Sequence, residues 1–149
     1  MNDLAKRCYE DVHIGDMLPG VTKEITHNLL VRYSGAVGDF NPIHTDPDFA
    51  RAAGLGGVVA HGLLSMAFVN QMMVEWLGDP GLLRQLRCRF AVPVRPGDTI
   101  TTGGVVAEKR EERGQRLVVC EVWAENQRGE RVVTHGFALA TLPSQDSLP

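Results

Sequence analysis

The sequence predicts an α+β domain in which a curved antiparallel sheet wraps around one central apolar helix. Two observations carry this. Helical patterns fill the first half, and from Leu82 onward the apolar period switches to two, with turns but no helices between strands. The stretch Gly62 to Leu77 is apolar nearly all round, with Leu63, Leu64, Met66, Phe68, Val69, Met72, Met73, Trp76 and Leu77 spread over every side. A helix of that kind must be enclosed by other structure rather than laid on one face of it, and a strongly curved sheet satisfies it.

Taken in order, Met1 to Met17 is weakly patterned. Ile14-Gly15-Asp16 before Leu18-Pro19-Gly20 suggests an entry strand and turn, continued by Val21 to Ile25. Thr26 reads as the N-cap of a helix through Leu29, Leu30, Tyr33 and Val37, released at Gly38. Asp46 then caps a short helix that has Pro47 at its first position and Gly54 as its left-handed stop. Gly78-Asp79-Pro80-Gly81 ends the long apolar helix. Leu86, Cys88, Phe90, Val92 and Val94 alternate with Gln85, Arg87, Arg89, Ala91 and Pro93 as a half-buried strand, and Pro96-Gly97-Asp98 is a turn. Thr99 to Glu108 makes a second strand, with Gly103-Gly104 marking a bulge or bend. Lys109 to Gly114 reads as a solvated hairpin tip, followed by strands around Val118 to Ala124 and Val132 to Leu142. Residues 1–142 form one domain on this reading, and 143–149 a flexible C-terminal tail. The sheet must also manage an exposed edge, which pairing with a second copy would satisfy.

Bulk properties exclude several functions. The 149 residues are 44% hydrophobic and 22% charged, an ordinary globular balance, and the net charge of −3 gives no case for nucleic-acid binding. Cys8, Cys88 and Cys120 are odd in number and form no CxxC pair, which suggests unpaired thiols in a reducing compartment. No apolar run follows Lys6 and Arg7, so no signal peptide is predicted, and Asn70, Gln71 and Glu75 argue against a membrane span at 62–77. A cytoplasmic protein is expected. There is no phosphate-binding loop and no dinucleotide fingerprint, and His44, Asp46, Asp48 and His61 lack the spacing of a metal site; neither metal nor separate cofactor is expected.

The chemistry concentrates in Gly38-Asp39-Phe40-Asn41-Pro42-Ile43-His44 and the helix start at His61-Gly62. Pro42 fixes its own φ and pushes Asn41 towards an extended conformation, so Asp39 and His44 are presented from a loop. An acid and an imidazole against an apolar wall are what proton transfer near neutral pH requires. The same residues would also serve as an Asx turn carrying a surface histidine. The helix opening at Gly62 offers free N–H groups and the positive end of the helix dipole, which makes Gly62 N–H a candidate donor to a substrate oxygen. Arg84, Arg87 and Arg89 could meet a phosphate or could be solvated strand residues.

The run Tyr33-Ser34-Gly35-Ala36-Val37-Gly38-Asp39-Phe40-Asn41-Pro42-Ile43-His44-Thr45-Asp46, followed by Ala60-His61-Gly62-Leu63-Leu64, resembles the hydratase motif of the MaoC-like family. That family includes (R)-specific enoyl-CoA hydratases and 3-hydroxyacyl-thioester dehydratases. The similarity continues through Trp76 to Gly81 and Arg89 to Val94, so it covers most of the chain. It implies a hot-dog fold, a likeness to dimeric lyases, and reversible hydration of trans-2-enoyl thioesters in fatty-acyl metabolism. It also implies that Asp39 and His44 act on one water at the β-carbon, with CoA or the pantetheine arm of an acyl carrier protein entering as part of the substrate. Asn41 would orient the loop or the water, or merely stabilise the turn. His61 matches the motif and reads as a packed histidine. Asn70 falls where some members carry a small hydroxyl residue. Rival readings are a hot-dog acyl-CoA thioesterase using Asp39 alone, and one subunit of a heterodimeric 3-hydroxyacyl-thioester dehydratase.

Overall fold

The computed structural model describes residues 7–147. Its order is β1 (Met17–Leu18), β2 (Thr22–Glu24), α1 (His27–Val37), α2 (Pro47–Ala52), α3 (Gly62–Leu77), β3 (Leu83–Phe90), β4 (Thr99–Glu112), β5 (Gln115–Asn126) and β6 (Arg131–Thr141). The strands form one antiparallel sheet in the order β1-β4-β5-β6-β3, with β2 also on β4. This is the curved sheet around a helix that the apolar pattern predicts. β3 occupies the outer place beside β6 and forms one edge of the sheet, with β1 and β2 at the other.

Local signals place the helices. The Thr26 hydroxyl accepts from Leu29 N, and the Asp46 carboxylate accepts from Asp48 N and Phe49 N, with Pro47 at the first helical position. Gly38 and Gly78 close α1 and α3 in left-handed geometry. α3 packs against β1, β3, β4, β5 and β6. Leu64, Phe68, Val69, Met72, Met73, Trp76 and Leu77 fill the concave side of the sheet, each burial contributing roughly 1.5–3 kcal/mol. The enclosure stops short of the whole circumference: Leu63, at 60% exposure, and Ala67, Asn70 and Glu75 form an open stripe. One curved sheet covers only the side of a helix that faces it.

Several sequence expectations are corrected. The bulge in β4 lies between Val106 and Glu108, not at Gly103-Gly104. Gly103 stays in register opposite Trp123, and any Cβ there would lie 2.5 Å from the indole nitrogen. β4 runs on to Glu112, so the tip shrinks to Arg113-Gly114, both at positive φ, as a two-residue hairpin requires. Lys109 is not solvated: its ammonium donates to the carbonyls of Tyr9 (2.6 Å) and Val12 and sits over the Tyr9 ring. The expected loose tail is tied down as far as Gln145. Pro143 O accepts from Tyr9 N, and the Ser144 hydroxyl and Gln145 N donate to the Glu10 carboxylate. Those donors, Gln145 N foremost, hold the Glu10 carboxyl below its usual range. Leu148 and Pro149, like residues 1–6, lie outside the described residues. The cysteines are free, and burial pushes the Cys120 thiol up to about 12, which keeps it protonated.

Between β5 and β6 the register shifts after Val122–Gly136, beside His135 at φ 49°. A Cβ on Gly136 would stand 2.0 Å from the Val122 carbonyl oxygen, a backbone atom that cannot step aside. Gly136→Ala should therefore destabilise the fold by roughly 3 kcal/mol. That lowers the thermal midpoint by on the order of 10 °C in a chain of this size, readable by circular dichroism. An unchanged midpoint would mean that the two strands part there without cost.

Candidate active site

The site begins where α1 stops. Gly38, at φ 73°, turns the chain out of the helix, and its N–H donates to Ser34 O. Asp39 Oδ1 accepts from Asn41 N at 3.2 Å, and Asn41 Oδ1 accepts from Ile43 N at 3.2 Å. These two Asx turns wind Pro42–His44 into one turn of 3-10 helix, with Asn41 extended before the proline. The turn-forming reading of the motif therefore holds, and it leaves one oxygen of Asp39 unused. One oxygen of Asp39 builds the loop and the other, Oδ2, faces two histidines: His44 Nε2 at 3.8 Å and His61 Nε2 at 3.9 Å.

His44 is buried, and its Nδ1 lies 2.6 Å from Val59 O. A carbonyl only accepts, so Nδ1 carries the proton and Nε2 presents a lone pair. The segment that carries the Val59 carbonyl is itself held from three directions. Val59 N donates to Ile43 O, Ala60 N donates to Val94 O, and the Arg95 guanidinium donates to Leu55 O at 2.6 Å and Gly57 O at 3.1 Å. A carboxylate oxygen and an imidazole lone pair 3.8 Å apart are two acceptors with no proton between them. A water bound between them could donate one hydrogen to each.

The two imidazoles stack, centroids 3.7 Å apart and planes at 23°, with the Tyr33 ring edge-on to His61 at 5.1 Å. Burial, and then the charge on Asp39, push the Tyr33 phenol up, so it stays protonated. His61 Nε2 lies 3.2 Å from the backbone oxygen of Asp39 and 3.3 Å from the Ser34 hydroxyl. The carbonyl again fixes a proton on Nε2, leaving Nδ1 as a buried acceptor without a partner. His61 is thus a packed histidine, as its sequence context suggests, and the surface it packs is the ring of His44.

Asp39, His44 and His61 place ligand atoms within 4.8 Å of one another. With the His61 Nε2 proton turned on the Asp39 carbonyl, Asp39 Oδ2 and His44 Nε2 are the two ligand atoms of this group left with a free lone pair. Asp46 caps α2 and Asp48 pairs with Arg51, so neither joins the cluster.

Beside His61 opens a cavity of about 320 Å³ lined by Leu55, Ala60, Val92, Pro93 and Val132, with Gly62 and Ser65 from the first turn of α3. His61 lines it; Asp39 and His44 stand behind that ring. Gly62 leaves the backbone bare here: a Cβ would fall 2.7 Å from the Phe90 ring, which lies across it. Asn41 is exposed and its amide oxygen is spent on the turn. Asn70 is also exposed and lines no part of the cavity; Ser65 supplies its small hydroxyl. Sequence reasoning missed Ser65 and Arg95. The only signal for Ser65 was a polar residue three places after Gly62 in an apolar run.

A family model described as "MaoC like domain" matches residues 13–139. The chain is 30% identical over 139 residues to a 3-hydroxybutyryl-CoA dehydratase of Methylorubrum extorquens, covering 93% of this chain and 85% of that one. It is 31% identical over 114 residues to an (R)-specific enoyl-CoA hydratase of Rhodospirillum rubrum, covering 73% and 78%. Among solved structures, R-hydratase PhaJ1 from Pseudomonas aeruginosa superposes with a TM-score of 0.81 at 28% identity, over 93% of this chain and 86% of that one.

Proposed function

The chain belongs to the MaoC-like domain family, and on that premise we propose that it is a hydro-lyase that adds water reversibly to trans-2-enoyl thioesters to give (R)-3-hydroxyacyl thioesters. The observation that carries this is the pair of acceptors, Asp39 Oδ2 and His44 Nε2, 3.8 Å apart beside a helix N-terminus with a bare glycine. A water donating to both has its own lone pair free for C3 of the enoyl group. As the C3–O bond forms, one water proton passes to the pair, the C2=C3 electrons move towards the carbonyl, and a proton from the pair reaches C2. The thioester oxygen gains negative charge on the way, and Gly62 N–H, at the positive end of α3, is the donor for it. The reverse path dehydrates a 3-hydroxyacyl thioester through the same transition state.

CoA, or the pantetheine arm of a carrier protein, enters as part of the substrate, and the catalytic pair needs no other cofactor on this reading. A second copy of the chain, pairing along the open edge of β3, is the proposed macromolecular partner; the unpaired backbone of that edge supports it. No helix among the described residues is long and apolar enough to cross a membrane.

The test is one protein preparation, a series of trans-2-enoyl-CoAs from crotonyl-CoA upward, and a thiol reagent alongside enoyl absorbance. The conjugated double bond should be consumed to an equilibrium, the 3-hydroxyacyl product should reach the same mixture from the other side, and chiral analysis should find the (R) isomer. Rapid thiol release without reversible loss of the enoyl chromophore would make the protein a thioesterase.

A further inference from the structure

We propose that Ser65 is a second hydrogen-bond donor to the substrate thioester oxygen, acting beside Gly62 N–H; this rests on the hydratase reading. Ser65 is only 3% exposed, yet none of the described residues gives its hydroxyl a hydrogen-bond partner. Its oxygen is not sealed in either: it is absent from the fully enclosed unpaired atoms, and the residue lines the cavity at Gly62. A helical serine commonly returns its hydroxyl to the carbonyl four residues back. Here that carbonyl belongs to His61, accepts from Leu64 N, and receives nothing from Ser65.

Direction and cost point the same way. Helical side chains lean towards the N-terminus, so a residue three positions on covers the turn before its own Cα. For Ser65 that turn starts at Gly62, where the absent side chain leaves space roofed by the Phe90 ring. An unpaired hydroxyl in an apolar lining costs on the order of 1–3 kcal/mol, and serine is a poorer helix former than alanine. The fold alone would be better served by alanine. A ligand oxygen held at Gly62 N–H accepts from both groups at once, and the hydroxyl can rotate to follow that oxygen as charge builds on it.

Four enzymes test this: wild type, Ser65→Ala, Asp39→Asn and Asp39→Asn/Ser65→Ala, the third being the reference for the last. On whichever trans-2-enoyl-CoA the wild type turns over best, Ser65→Ala should lower kcat by roughly a hundredfold, as expected for loss of one such donor, with KM within about threefold and an unchanged or higher melting temperature. In the Asp39→Asn background, which holds the substrate unreacted, the infrared carbonyl stretch of bound carbonyl-¹³C enoyl-CoA should move up in frequency when Ser65 is removed. An unchanged kcat, a rise in KM alone, or an unmoved carbonyl stretch would each overturn the role of Ser65. A wild type inactive on every enoyl-CoA would overturn the hydratase reading itself, a separate failure.

Discussion

Asp39→Asn should lose on the order of a thousandfold in kcat, the middle of what a proton-transferring side chain contributes, with no loss of stability. The reason for expecting so clean a split lies in the division of labour between its oxygens. Oδ1 serves the loop by accepting from Asn41 N, a duty that the amide oxygen of asparagine can keep. Oδ2 faces His44 Nε2, and there an amide nitrogen would offer protons where the water needs an acceptor. His44→Ala should lose turnover to a similar degree but also some stability, because it strips Val59 O of its donor and leaves a hole against His61. The double variant should be little slower than either single one, since residues that act as a unit are non-additive. Steady-state rates beside thermal midpoints decide it. Multiplicative losses would show that the two residues do not share a step.

The second large effect belongs to Gly62. Gly62→Pro removes the N–H assigned to the thioester oxygen and should cost about a hundredfold or more in kcat, near 3 kcal/mol. The backbone is ready for it: position 62 opens α3, where proline is tolerated, and His61 at φ −58°, ψ 132° already has the extended conformation that a following proline demands. The complication is Phe90, whose ring lies within 3 Å of any added Cβ. That ring is 47% exposed and has room to swing. Gly62→Ala meets the same ring but keeps the N–H, so it should lose no more than about tenfold, and Phe90→Ala should restore most of that. The same second change should do nothing for Gly62→Pro. Recovery of Gly62→Pro by Phe90→Ala would move the effect from the lost donor to crowding.

What could be read in the sequence was what neighbours in the chain decide. Thr26, Asp46, Pro47, Gly38 and Gly78 act on backbone groups within four residues, so the helix ends they mark could be placed from sequence alone. The spacing from Asp39 to His44 is equally local, held by two Asx turns and a proline. What escaped was settled by partners far away. Lys109 reads as one more charge in a polar run until the Tyr9 and Val12 carbonyls come to it from the other end of the chain. Ser144 and Gln145 read as tail until Glu10 takes them. The β4 bulge follows pairing, not the glycines, because Gly103 answers to the indole opposite. At the site, no pattern announced that His61 would lie flat on His44, nor that Arg95 would fasten the segment behind them.

That fastening decides when the protein can first work. Every reacting group proposed above lies between Asp39 and Ser65, so a ribosome has delivered them all by mid-chain. The carbonyl that orients His44, however, belongs to a segment tied to Val94 and Arg95, and α3 packs against strands that run on to Thr141. Those closures span dozens of residues, and such long loops are late and slow to form. Turnover during refolding should therefore rise with the last tertiary contacts and not with the first helices, which makes activity a reporter of the finished chain.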